Sequence, residues 1–92
     1  MIFYSDITVH SELTVGVDNT GYDVKFFGAT SGKYMLWDES ADRLLLADTT
    51  YLALGSGSDM LLYHNDTHGY IVNQKGNFLI QNTADDGDII FK

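Results

Sequence analysis

Acidic side chains that could act as a catalytic pair occur in two clusters of this sequence. These clusters are Asp38, Glu39 and Asp42, and Asp85, Asp86 and Asp88. Two carboxylates that flank a glycosidic bond can hydrolyse it when a groove positions them and one has a raised pKa. Both clusters also lie in stretches rich in turn-forming residues, where aspartate is favoured without any chemistry. We therefore interpret them as turns, and we predict no catalytic residue and no enzyme activity.

Three histidines and one glycine-rich segment are the candidates for binding a metal ion. The segment Gly55-Ser56-Gly57-Ser58-Asp59-Met60-Leu61 partly matches a calcium-binding nonapeptide, but a single copy cannot complete the cage that successive copies build. His64 and His68 would need further ligands for a structural zinc site, and the sequence has no cysteine. A histidine on a threefold axis, His10 included, would supply three nitrogens, which remains an alternative. We predict a plain hairpin turn and surface histidines, with no metal and no cofactor.

Five aromatic side chains could form a platform that stacks on sugars. They are Tyr34, Trp37, Tyr51, Tyr63 and Tyr70. Their positions within apolar runs favour packing in a core, because aromatic residues are enriched in strands and contribute large buried areas there. A carbohydrate-binding surface remains the alternative interpretation.

The charge of the chain excludes several classes of partner. Its 92 residues include 5 basic and 13 acidic side chains, for a formal net charge of -8. Nucleic acids and anionic membrane surfaces are recognised by clustered Lys and Arg, so neither is expected as a partner. No run approaches the roughly 20 apolar residues of a membrane span. The first residues, 1–6, lack the basic and apolar regions of a signal peptide, which predicts synthesis in the cytoplasm.

Short apolar or β-branched runs alternate with turn signals along the whole chain, which predicts an all-β fold. The best helix candidate is Ser40–Leu54, but Thr49-Thr50-Tyr51 and the lack of a helix stop favour two strands there. The predicted strands are Ile7–Val9, Leu13–Val17, Tyr22–Phe27, Lys33–Trp37, Arg43–Ala47, Tyr51–Leu54, Met60–His64, Tyr70–Asn73, Asn77–Gln81 and Asp88–Phe91.

Several of the predicted strands are apolar on both faces, for example Leu44-Leu45-Leu46 and Phe78-Leu79-Ile80. A half-exposed antiparallel strand should instead alternate apolar and polar residues. A short chain without helices has little of its own to cover two faces, so we expect other copies of the chain to provide the cover. The predicted core, partly shared between copies, comprises Val24, Phe26, Leu36, Leu44, Leu46, Leu61, Ile71, Phe78, Leu79 and Ile89.

Residues 13–46 read LTVGVDNTGYDVKFFGATSGKYMLWDESADRLLL. This stretch resembles a repeat module found in tail-fibre and other virion structural proteins of tailed phages, particularly marine phages. The core of the match, residues 21–44, is highly specific, whereas residues 58–92 resemble a second and more variable module of the same proteins. In place of the glycine that often precedes the Leu-Thr-Val-Gly element of the family, this chain has His10-Ser11-Glu12. Nothing in the chain resembles the self-cleaving chaperone domain that ends many of these proteins.

The resemblance implies a homotrimer of intertwined chains, fibre-like with a β-helix or β-prism form, that helps to build a virus particle or attach it to a host. The expected partners are further copies of the chain, other virion proteins and host surface glycan, and the expected location is the virion. We interpret the chain as one all-β segment of a longer protein, with N-terminal strands in residues 1–20, the fibre module in residues 21–54 and a second hairpin module in residues 55–92. The alternatives are a carbohydrate-binding module at a fibre tip and part of a polysaccharide-degrading spike.

Overall fold

A computed structural model describes all residues, 1–92, and contains strands but no helix. The predicted all-β class is confirmed, including the two strands in place of a helix within residues 40–54. All six strands run antiparallel to their neighbours, in two three-stranded sheets. The strands are β1 (Val24–Phe27), β2 (Tyr34–Asp38), β3 (Arg43–Leu46), β4 (Leu52–Leu54), β5 (Met60–His64) and β6 (Gly69–Asn73). No helix in the structure could cross a bilayer.

The first sheet is a meander in the order β1-β2-β3. Gly28 N–H donates to the carbonyl of Lys33 at 2.8 Å and so closes the β1–β2 hairpin. Within that turn Gly32 has a φ of 82°, a left-handed conformation that glycine adopts without steric cost. The register places Trp37 opposite both Val24 and Leu44, so the three side chains project from the same face.

The second sheet repeats this arrangement in the order β4-β5-β6. The β2–β3 turn lies between Asp38 and Arg43, which are paired, and the β5–β6 turn lies between the paired His64 and Gly69. Both turns therefore contain four residues, and equivalent positions are 26 residues apart. Side chains alternate between the two faces along a strand, and 26 is an even number. Residues on one face of the first sheet therefore have their equivalents on one face of the second sheet.

A further turn lies near the C-terminal end. Gly87 N–H donates to the carbonyl of Ala84 at 3.4 Å, and Asp86 within the turn has a φ of 58°. The bond from Lys33 N–H to the carbonyl of Thr30, at 3.1 Å in the β1–β2 turn, has the same spacing. Residues 78–92 form no strand ladder on either side of this turn.

The predictions of strands at Ile7–Val9, Leu13–Val17, Asn77–Gln81 and Asp88–Phe91 are wrong for the single chain. Outside the six strands, only the isolated bridge between Val17 and Thr20 pairs backbone in the manner of a sheet. The 28 backbone–backbone hydrogen bonds compare with about 60 for a folded domain of this length. A strand needs a hydrogen-bonding neighbour, and in the single chain none of these four segments pairs with an edge of either sheet.

The prediction of a buried core is also wrong for the single chain, because no residue is buried. Four of the predicted core residues, Phe26, Leu44, Ile71 and Leu79, are more than half exposed. The radius of gyration is 17.5 Å, against about 12 Å for a compact domain of 92 residues. The apolar pattern of the sequence therefore has no apolar interior to match it within one copy of the chain.

Candidate functional site

The carboxylate of Asp38 forms hydrogen bonds and an ion pair within the β2–β3 turn. Its Oδ1 accepts hydrogen bonds from Ser40 Oγ at 2.9 Å and from the N–H of Ala41 at 3.4 Å. Its Oδ2 lies 3.8 Å from the guanidinium of Arg43. A carboxylate that organises a turn in this way is a structural group, and the three contacts explain the position of Asp38 without any substrate.

The second acidic cluster also belongs to a turn. Asp86 has a φ of 58°, a left-handed conformation that Asp tolerates better than most residues. Next to it, the side-chain amide of Asn82 donates to the carbonyl of Asp88 at 3.0 Å. Neither acidic cluster lines the one concavity of the structure, a space of about 430 Å³ between residues 31–34 and 45–48. The concavity is bridged at one side by Lys33 Nζ, which donates to the carbonyl of Asp48 at 2.7 Å.

The glycine-rich segment forms the β4–β5 turn, and its aspartate packs against the turn. A Cβ on Gly55 would lie 2.5 Å from Asp59 Oδ2, and a Cβ on Gly57 would lie 3.0 Å from Asp59 Oδ1. The close approach of this carboxylate, together with a φ of 89° at Gly55, is the physical reason for glycine there. The geometry of the turn therefore accounts for both glycines.

The three histidines lie apart from any group that could complete a metal site. No group of three or more His, Asp or Glu side chains is placed to hold an ion. His64 Nδ1 accepts a hydrogen bond from the N–H of Asp66 at 3.1 Å. The ring of His68 lies 6.3 Å from that of Tyr70 and is nearly perpendicular to it. His10 is exposed in the segment that precedes the first sheet.

Three tyrosines form a cluster on the second sheet. The ring of Tyr63 stacks on that of Tyr70 at 4.7 Å and meets that of Tyr51 edge-on at 4.6 Å. Partial desolvation by neighbouring side chains raises the pKa of the Tyr63 hydroxyl above its ordinary value, and the nearby Tyr51 and Tyr70 raise this pKa further. The rings contact one another along the sheet, and Tyr51 remains 48% exposed.

The first sheet carries a face without charge. Cross-strand pairing and strand alternation place six apolar side chains on it. This uncharged face consists of Val24, Phe26, Met35, Trp37, Leu44 and Leu46. Phe26, Trp37 and Leu44 are 59%, 41% and 58% exposed on this face, whereas Val24 and Leu46 are partly covered. The sequence shows that these residues are apolar but not that they share a face, because that depends on the register of the strands.

The opposite face of the same sheet carries the charged residues of the strands. Lys25 Nζ lies 4.8 Å from the centre of the Phe27 ring and 4.2 Å from that of Tyr34, both within cation–π distance. Asp38 and Arg43 form their ion pair on this face as well. The two faces therefore differ in chemistry although every strand of the sheet is rich in apolar residues.

In the second sheet, both faces are largely apolar. The tyrosine cluster lies on the face equivalent to the uncharged face, and the reverse face carries leucines and an isoleucine that are about half exposed. These are Leu52, Leu54, Leu62 and Ile71. The dominant surface feature of the chain is thus exposed apolar sheet, of the kind that marks an interaction surface.

No family model matches the chain, and no curated protein or solved structure is similar enough to it to count as a match.

Proposed function

We propose that this chain is a structural component of a virus particle: a homotrimeric segment of a tailed-phage tail fibre or spike that supports attachment to the host. Its partners are then two further copies of itself and neighbouring virion proteins, and it is made in the host cytoplasm. The resemblance of residues 13–46 to a fibre module supports the viral role. The large exposed surface of the single chain supports the proposed self-association.

The surface area of the chain is too large for a folded protein that works alone. It is 8492 Å², whereas a folded monomer of 10.3 kDa exposes about 5,400 Å². The excess is about 3,100 Å², and its exposed side chains include Phe26, Leu44 and Ile71. Burial of that excess against other copies would restore the surface expected of a globular protein.

The size of the excess favours three copies over two. A closed ring of three chains has three interfaces, so each interface would bury about 3,100 Å² in total. Obligate interfaces between like subunits commonly bury about 2,000–5,000 Å². A dimer has a single interface, which would have to bury about 6,200 Å² and would lie at the extreme upper end of interface sizes.

The four segments predicted as strands but unpaired in one chain also support assembly. Their backbone groups need hydrogen-bond partners, and strands of neighbouring copies would supply them. The strands β1 to β6 pair within the chain, whereas Leu13–Val17 and Asp88–Phe91 would pair between chains. Intertwined chains of this kind are what the fibre resemblance implies.

The molar mass in solution tests the proposal. Light scattering at micromolar concentration should give three times the chain mass of 10.3 kDa. Circular dichroism on the same sample reports whether the strands are formed. A folded monomer, stable to dilution, would contradict the proposal. A folded dimer would support self-association but contradict the proposed trimer.

A further inference from the structure

We infer that the uncharged face of the first sheet is the surface through which copies of this chain pack on one another. The inference rests on the proposed self-association and adds which side of the sheet is turned inward. In a trimer, three such sheets would form the sides of a prism with their uncharged faces toward the axis. The six residues of the face would then be the core that the single chain lacks.

The placement of charge favours this face over the reverse face. The reverse face carries Lys25, Asp38 and Arg43, and burial of that face between copies would take these charges out of water. The uncharged face has no ionisable side chain on any of its three strands. Association there brings apolar area together without desolvating a charge, which is the arrangement that costs least.

The reverse face is suited to remain in water. Arg43 is exposed and its ion pair with Asp38, at 3.8 Å, has the geometry of a solvated surface pair. Lys25 Nζ lies over the rings of Phe27 and Tyr34, at 4.8 Å and 4.2 Å from their centres. Although Phe27 is 77% exposed, this side of the sheet mixes apolar and charged groups, whereas the other side has no charge.

A second copy fits the uncharged face better than a sugar does. Carbohydrate recognition needs several hydrogen-bonding groups around the aromatic ring, and Trp37 Nε1 is the one polar side-chain atom of the face. A copy of the chain brings an identical apolar sheet, which is complementary in chemistry by symmetry. Three such faces turned toward one axis would let the apolar side chains of each copy pack against those of the other two.

Trp37 reports on this face directly, because it is the only tryptophan of the chain. In the assembled protein we expect a blue-shifted emission and at least a fivefold lower acrylamide quenching constant than for free tryptophan. Dilution below the dissociation concentration should raise quenching and lower the mass together. An oligomer whose Trp37 is quenched like free tryptophan would overturn the inference while leaving self-association in place. A folded monomer would overturn both.

Two adjacent phenylalanines provide a matched pair of variants. Phe26 lies on the uncharged face and Phe27 on the reverse face, with exposures of 59% and 77% in the single chain. Phe26→Lys should weaken association at least a hundredfold, and Phe27→Lys should weaken it less than tenfold. Each variant makes the net charge less negative, so a loss of association cannot come from added repulsion.

Equal weakening by the two variants would contradict the inference, as would stronger weakening by Phe27→Lys. If Phe26→Lys does not fold, the milder pair Phe26→Leu and Phe27→Leu replaces it, with the same order of effects expected. Quenching of Trp37 in the unsubstituted protein does not depend on either pair. The inference can therefore be rejected even if every variant fails to fold.

Discussion

Trp37 and Leu44 lie directly opposite each other in the β2–β3 ladder, and their side chains project from the same face of the first sheet. They are 41% and 58% exposed in the single chain. A large aromatic side chain beside a leucine normally contributes to the interior of a protein. Here the pair lies on the outside of one chain, and its environment depends on assembly.

The cost of truncating Leu44 should depend on protein concentration. Under conditions in which the chain is assembled, Leu44→Ala should lower the free energy of unfolding by about 2–5 kcal/mol per copy, because it removes buried methyl groups. Under dilute conditions, where Leu44 is exposed, the loss should be below about 0.5 kcal/mol. Urea unfolding at two protein concentrations measures the difference. A loss that is independent of concentration would contradict burial by other copies.

Replacement of Asp38 should lower the stability of the protein more than replacement of Arg43, with which Asp38 forms an ion pair. Asp38→Ala removes the acceptor for Ser40 and Ala41 in the turn and should cost about 1 kcal/mol. Arg43→Ala removes only an ion pair at 3.8 Å, from a side chain that is itself 62% exposed, and should cost less than about 0.5 kcal/mol. Thermal unfolding of the two variants side by side checks the order. Equal losses would mean that the ion pair, not the turn, accounts for the effect of Asp38.

Two glycines with similar dihedral angles should respond differently to alanine. Gly32 and Gly55 have φ values of 82° and 89°, and the left-handed conformation costs alanine about 1–2 kcal/mol at either position. A Cβ at Gly32 meets nothing within 4 Å, whereas one at Gly55 meets the carboxylate of Asp59. Gly55→Ala should therefore cost about 1 kcal/mol more than Gly32→Ala in urea unfolding. The opposite order would show that Asp59 moves aside freely.

The raised pKa of Tyr63 predicts a late step in alkaline titration. The folded state holds this proton more tightly than the unfolded state, so the associated stability is complete below the ordinary tyrosine pKa. It is lost as the pH rises through the raised pKa. Absorbance at alkaline pH should show Tyr63 ionising last, and Tyr63→Phe should remain folded to a higher pH. Tyr4→Phe, at an exposed position, should leave both the last step and the alkaline limit unchanged.

The local elements of this chain were largely predictable from its sequence. Met60–His64 has the predicted bounds, and the other five strands differ from theirs by one or two residues. Glycine, aspartate and asparagine marked the turns because few other residues tolerate their dihedral angles. The acidic clusters were interpreted as turns for the same reason, and Asp38 and Asp86 are turn residues in the structure.

Longer-range features were not predictable in this way. The tyrosine cluster depends on a register that places Tyr63 opposite Tyr70, and the uncharged face depends on one that places Trp37 opposite Leu44. A slip of one residue would turn each set to the other side of its sheet. The 26-residue repeat was equally hidden, since the two meanders share the length of their second turn and not residue types.

The sequence by itself determined that this protein is all-β, where its turns fall and which runs are apolar, because these properties depend on residue type and short-range backbone preference. Only the tertiary structure decided which runs pair and which side of a sheet each residue occupies. It left Leu13–Val17 and Asp88–Phe91 without partners because a strand is stable only beside another. It also left Trp37 and Leu44 exposed, since the two sheets do not pack face to face and the chain has no further layer to place over them.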